Sequence, residues 1–116
     1  MTPTKTWKAE ESRVAKIFGS RRTPLSGINS AHTGADVLPR GAGASWFVEV
    51  KHRKKAPHWK LFEEVKASAK KEGRIPVIVY HQKMSHDRMT ILSFKDFINL
   101  LRQAGYISEA EPGEEE

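Results

Sequence analysis

A chain of 116 residues suits one domain with an ordinary hydrophobic core, and without cysteine it can hold neither a disulfide nor a thiolate metal site. No stretch is long and apolar enough to cross a membrane and no signal-peptide pattern opens the chain, so no membrane partner and a cytoplasmic location are expected. The net charge of +6 hides an asymmetry, because five glutamates lie in the last eight residues, EAEPGEEE, and the rest of the chain carries +11; that balance favours a polyanionic partner.

In chain order, residues 6–18 read as a helix closed by Gly19. Trp7, Glu11, Val14 and Phe18 fall at i, i+4, i+7 and i+11, on one helical face. Glu11 then lies in the core-facing stripe, while Glu10 points elsewhere. The segment SRRTPLSGINSAHT, residues 20–33, is a loop by composition, with a basic pair in Arg21 and Arg22 and a turn signal at Ser26-Gly27. Arginines beside a flexible Ser-Gly suit a phosphate-gripping loop; the plainer alternative is a surface loop with ordinary turn chemistry.

The next stretch, GADVLPRGAGASWFVEVKHR, organises the rest. The run SWFVEVK alternates as a strand, with Trp46, Val48 and Val50 on one face and Glu49 and Lys51 on the other. An acid and a lysine inside an apolar strand cost stability unless they are paired or bind something. Asp36, at the edge of the short run ADVL, reaches the same place if the two runs pair as a hairpin across PRGAGAS. Two carboxylates and a lysine at a sheet edge suit a hard divalent cation and a phosphodiester.

Then follows HRKKAPHWK, a basic run with an aromatic in it. Arg53, Lys54 and Lys55 suit contacts to a nucleic-acid backbone, and Trp59 reads as the first core residue of a helix over 57–72, with Pro57 in its first turn and Gly73 at its close. IPVIVY, residues 75–80, reads as a buried central strand, and the helix between it and the EVK strand makes a βαβ crossover. RMTILS is a further strand. His81 and His86 read as loop histidines and not as a zinc pair. Ser93 caps a last helix, FKDFINLLRQAG, with Asp96 at the capping-box position. Its Phe94, Phe97, Ile98 and Leu101 serve either the core or a dimer. The order is αβββαββα or close to it, an α/β sandwich with a mixed sheet, followed by an acidic tail over 108–116 of disordered composition.

Asp36, twelve intervening residues, then Glu49-Val50-Lys51 matches the PD-(D/E)xK nuclease pattern. With helix glutamate Glu11, then Arg21-Arg22, Ser26-Gly27 and EVKHRKK, the chain resembles the archaeal Holliday junction resolvases and their phage-encoded relatives over about residues 7–80. The resemblance implies a restriction-endonuclease-like sandwich, a central mixed β-sheet flanked by helices. It implies a magnesium-dependent endonuclease, with manganese able to substitute, acting in DNA recombination and repair. Asp36, Glu49, the Val50 carbonyl and Glu11 are the implied metal ligands; Lys51 is the motif lysine, and Ser26 is the loop serine needed for cleavage. Arg21, Arg22, Arg53, Lys54 and Lys55 are the implied DNA contacts. The implied partners are a four-way DNA junction and a second copy of the chain in a homodimer, and the source would be a bacterial or archaeal cell or a virus of one. Alanine, not proline, precedes Asp36, and the acidic tail is not a family feature. Two other readings stand beside this one: a nicking or restriction-like endonuclease on duplex or branched DNA, and a non-catalytic basic DNA-binding module in which D…EVK is coincidental.

Overall fold

The computed structural model describes residues 3–23, 33–39, 45–53 and 55–108, with side chains from Lys8 onward. The expectations placed on Ser26, on Lys54, on the turn at 40–44 and on the tail from 109 lie outside the described residues, as does the side chain of Trp7.

Helix α1 runs Pro3–Ile17 and ends in a left-handed Gly19 at φ 71°, with the Ser20 amide donating back to the Ala15 carbonyl at 2.9 Å. Glycine takes that φ without steric cost, which is why the helix stops there. Strand β1 is Trp46–Arg53, helix α2 is Trp59–Lys71, strand β2 is Ile75–Gln82, strand β3 is Arg88–Ile91 and helix α3 is Phe94–Gln103. The sheet order is β1-β2-β3, with β1 and β2 parallel and β2 and β3 antiparallel. The described residues form a small α/β fold with a three-stranded mixed sheet and three helices. As expected, IPVIVY is the central strand and α2 is the crossover.

Alternation along β1 and β2 divides the core between the two faces of the sheet. Val48, Val50, Val77 and Val79 pack against Val14 and Ala15 of α1. Phe47, Ile78 and Tyr80 pack against Leu61, Val65 and Ala69 of α2. Phe47 is only 2% exposed, and truncating such a ring to alanine costs about 3–5 kcal/mol.

Four expectations need correction. ADVL is not a hairpin strand; it forms one antiparallel bridge, Val37 to Arg22, and lies along the outer edge of β1. The cap of α2 is His58, whose Nδ1 accepts from the Leu61 amide at 3.1 Å, so Pro57 precedes the helix. Trp59 is 77% exposed, not core. His81 lies on β2, where it continues the alternation of Val77 and Val79. At α3 the expectation holds: Ser93 Oγ accepts from the Asp96 amide at 3.1 Å. That helix has no buried residue, and Phe94, Phe97 and Leu100 remain exposed. No helix among the described residues is long and apolar enough to cross a membrane.

Candidate active site

The site is built where three extended segments lie side by side. Residues 21–23 run antiparallel to residues 36–38, with the Thr23 amide donating to the Asp36 carbonyl and the Leu38 amide to the Arg21 carbonyl, both at 2.9 Å. Residues 36–38 in turn lie against β1. The Asp36 amide donates to the Val48 carbonyl at 2.9 Å, and the Val50 amide donates to Asp36 Oδ2 at 2.8 Å. Backbone and side chain of one residue thus bracket Glu49 on β1. Upstream, Glu72 just past α2 anchors the approach: it accepts from Thr33 Oγ1 at 2.6 Å and from the Gly34 amide at 2.8 Å. Burial pushes Glu72 up, but these two bonds and Arg74 outweigh it and hold the carboxyl below its usual range.

Glu49 and Lys51 share one face of β1, as expected, and form an ion pair at 2.9 Å with both side chains largely buried. Glu11 is 2% exposed, and its Oε1 accepts from Arg22 Nε at 2.7 Å. Its Oε2 is buried and makes no hydrogen bond among the described residues. Asp36 feels the charge of both acids. Its pKa is pushed from 3.8 up to about 7, first by burial, then by the charge of Glu49, with Glu11 adding; the Val50 amide and Lys51 pull the other way. The two acids acting on Asp36 thus come from two other segments, Glu49 paired with Lys51 and Glu11 paired with Arg22.

These residues suit a hard cation. A buried carboxylate oxygen without a hydrogen bond, and an aspartate whose pKa is raised by burial and by the charge of Glu49, are both relieved by a positive ion. Among the described residues no three histidine, aspartate or glutamate side chains form a ready-made cage. Magnesium does not need one, since it is held by one or two carboxylates and completes its shell with water and phosphate oxygens.

Of the expected DNA contacts, Arg21, Arg53 and Lys55 are exposed. Arg22 is instead half-buried against Glu11, where it positions an acid.

A second polar cluster escaped the sequence reading. Glu10 is 1% exposed. Arg88 of β3 grips it in a fork, Nε to Oε2 at 2.5 Å and Nη2 to Oε1 at 2.9 Å, and His81 Nδ1 lies 3.5 Å from Oε2. In the sheet register His52 faces His81, and His81 faces Arg88. His81 Nε2–H donates to the Ser85 carbonyl at 2.7 Å, which leaves Nδ1 to meet His52 Nδ1 at 3.0 Å. Burial would raise Glu10, but the bonds and charge of Arg88, helped by His81 and His52, lower it. Burial, then the charge of His81, lowers His52. Helical spacing permits both acids to be buried: Glu10 lies one turn before Val14 and Glu11 one turn before Ala15, and a core-facing face is broad enough for all four.

Comparison of the chain with protein families, with curated proteins and with solved structures finds no match. The functional reading therefore rests on the residues themselves.

Proposed function

We propose that the chain is a divalent-metal-dependent DNA endonuclease with a restriction-endonuclease-like sandwich, and most specifically a Holliday junction resolvase. The observation that carries this reading is the bracket Asp36 makes around Glu49, with Lys51 2.9 Å from that acid and Glu11 close enough to raise the Asp36 pKa. A module that only binds DNA gains nothing from holding Asp36 beside Glu49 against their repulsion, where they would repel phosphate, or from burying Glu11 near enough to add to that charge.

Asp36 and Glu49 would hold the ion, with the Val50 carbonyl, and Glu11 would hold a water of its shell or a second ion. Bound there, magnesium would supply an activated water and neutralise charge on the scissile phosphate. The rest belongs to the chain. Lys51 Nζ, oriented by Glu49, donates toward the charge that builds on the phosphate oxygens. Arg22 fixes Glu11, and the fork of Arg88 on Glu10 locks the adjacent turn of α1 against the sheet. Arg21, Arg53, Lys54 and Lys55 grip phosphates without reading bases, as recognition by shape requires.

Two symmetric cuts call for two sites, so a homodimer is part of the proposal. The exposed Phe97 and Leu100 of α3, beside Phe18, Trp46 and Leu92, border an apolar groove of about 410 Å³ that suits that contact.

The reading is tested by cutting a labelled four-way junction beside the same arms as linear duplex. Paired nicks in the junction alone support a resolvase. Equal cutting of both keeps the nuclease and discards junction selectivity in favour of a nicking or restriction-like enzyme.

A further inference from the structure

Trp59 takes no part in the carboxylate centre, yet it stands out. It is the first residue of α2 and 77% exposed, whereas indoles ordinarily bury most of their surface. Its orientation is held: Nε1 donates to Glu63 one turn on at 2.8 Å, and its ring centroid lies 6.3 Å from that of Phe62, tilted by 57°. Trp59, Phe62 and Pro57, with Ile91, Leu92 and Phe94 across from them, line an open groove of about 500 Å³. That is the size of a small-molecule site.

Lys66 lies on the groove wall, whose one carboxylate, Glu63, is already engaged by the indole, and two further exposed lysines are close to Trp59 in the chain, Lys60 directly after it and Lys55 four residues before. A wholly apolar occupant would strip water from these ammonium groups without replacing it, and a second copy of this chain would bring like charge against like. An occupant with a flat apolar body and negative flanks satisfies both parts of the groove. Its place in the fold points the same way. Strand β1 leads into α2 through residues 54–58, and the Tyr80 hydroxyl donates to the Lys55 carbonyl. Tyr80 faces Lys51 in the sheet register. Trp59 thus stands at the end of the sheet that carries Glu49 and Lys51.

We propose that Trp59 and the groove beside it form a stacking site for an unpaired nucleobase, with Lys55, Lys60 and Lys66 on the flanking phosphates. Stacking of bases on aromatic rings is tolerant of sequence and suits DNA in which a branch or an end has exposed a base. The site rests on the reading of the chain as a DNA enzyme, but its test is one of binding alone.

Tryptophan emission of the full chain, in a chelator so that nothing is cut, is followed while a short oligodeoxythymidylate or a blunt duplex is added. Trp59→Phe shows which part of the signal belongs to this residue. The oligonucleotide is expected to quench Trp59 and the duplex to leave it unchanged. Trp59→Ala should bind the oligonucleotide at least about five-fold more weakly, and Trp59→Phe should retain most of the affinity. Equal affinity of Trp59→Ala and wild type would overturn the site. So would Trp59 emission that shifts to the blue as the protein is concentrated without DNA, since a second copy would then cover the groove. Trp59-dependent binding by a protein that cuts nothing would remove the nuclease and keep this site; cutting without Trp59-dependent binding would do the reverse.

Discussion

Asp36 Oδ2 accepts the Val50 amide at 2.8 Å, so a side chain takes the hydrogen bond that a neighbouring strand would otherwise make at the centre of Glu49-Val50-Lys51. The bond holds a loop carboxylate beside a strand carboxylate despite their repulsion, and burial together with the Glu49 charge raises the Asp36 pKa to about 7.

This has a consequence for stability. An acid whose folded pKa is raised binds its proton more tightly in the native state, so its contribution is fully present below the ordinary value of 3.8 and is lost as pH rises through about 7. Asparagine keeps the acceptor for Val50 and removes the charge. Metal-free Asp36→Asn is therefore expected to be more stable than wild type by at least about 1 kcal/mol near pH 8, with the gap closing toward pH 4. Chemical denaturation at the two pH values measures it. A magnesium or manganese ion should raise the melting temperature of the wild type more at high pH than at low, and should do little for the variant.

Lys51→Met keeps the length of the side chain and removes the ammonium. Cleavage should fall by about a hundred-fold or more, while the melting temperature in magnesium still rises, because Asp36 and Glu49 remain. Loss of the metal-induced shift in this variant would mean that Lys51 supports ion binding rather than the chemical step.

The fork of Arg88 on Glu10 is structural. Glu10→Gln keeps a buried side chain but removes the charge from the fork, while Arg88 retains access to solvent, and it should cost about 1 kcal/mol in denaturant. Since the Glu10 pKa is lowered, its contribution is present above the ordinary carboxylate range and is lost as pH falls through it. The wild type should thus lose its advantage over Glu10→Gln in acid.

If α3 carries the dimer contact, Phe97→Asp should shift the protein toward monomer in sedimentation equilibrium without unfolding it, since no residue of α3 is buried in the single chain. An unchanged association state would exclude this face.

Removing exposed charges should act evenly across DNA sequences. Arg53→Ala with Lys55→Ala is expected to lower the salt slope of binding by about 2, and an unaltered slope would take this patch out of the interface.

Much of the architecture was legible. β-branched runs gave β1 and β2 away, helical spacing and a connection of the right length gave the α2 crossover, and Ser93 with Asp96 gave the start of α3. Period two alone put Glu49 and Lys51 on one face. What was not legible depends on contacts distant in sequence. Glu10 read as outward because its partner, Arg88, lies 78 residues away. Arg22 read as a DNA contact because nothing local shows that residues 21–23 fold across Glu11. Trp59 read as core because helical spacing marks an apolar stripe without saying whether anything lies opposite its first turn. Asp36 was placed at the right edge by assuming a hairpin, whereas one bridge and one side-chain bond hold it there.

We propose that Asp36 and Glu49 form a metal-dependent cleavage centre. Single-turnover cleavage of a four-way junction, followed as magnesium is added to wild type and to Asp36→Asn, tests it most directly. The expected result is cleavage that saturates with magnesium in the wild type and is lost by at least about a thousand-fold in the variant, with junction affinity in chelator no weaker than the wild type's. Wild-type protein that binds the junction tightly in either condition and never cuts it would contradict the claim.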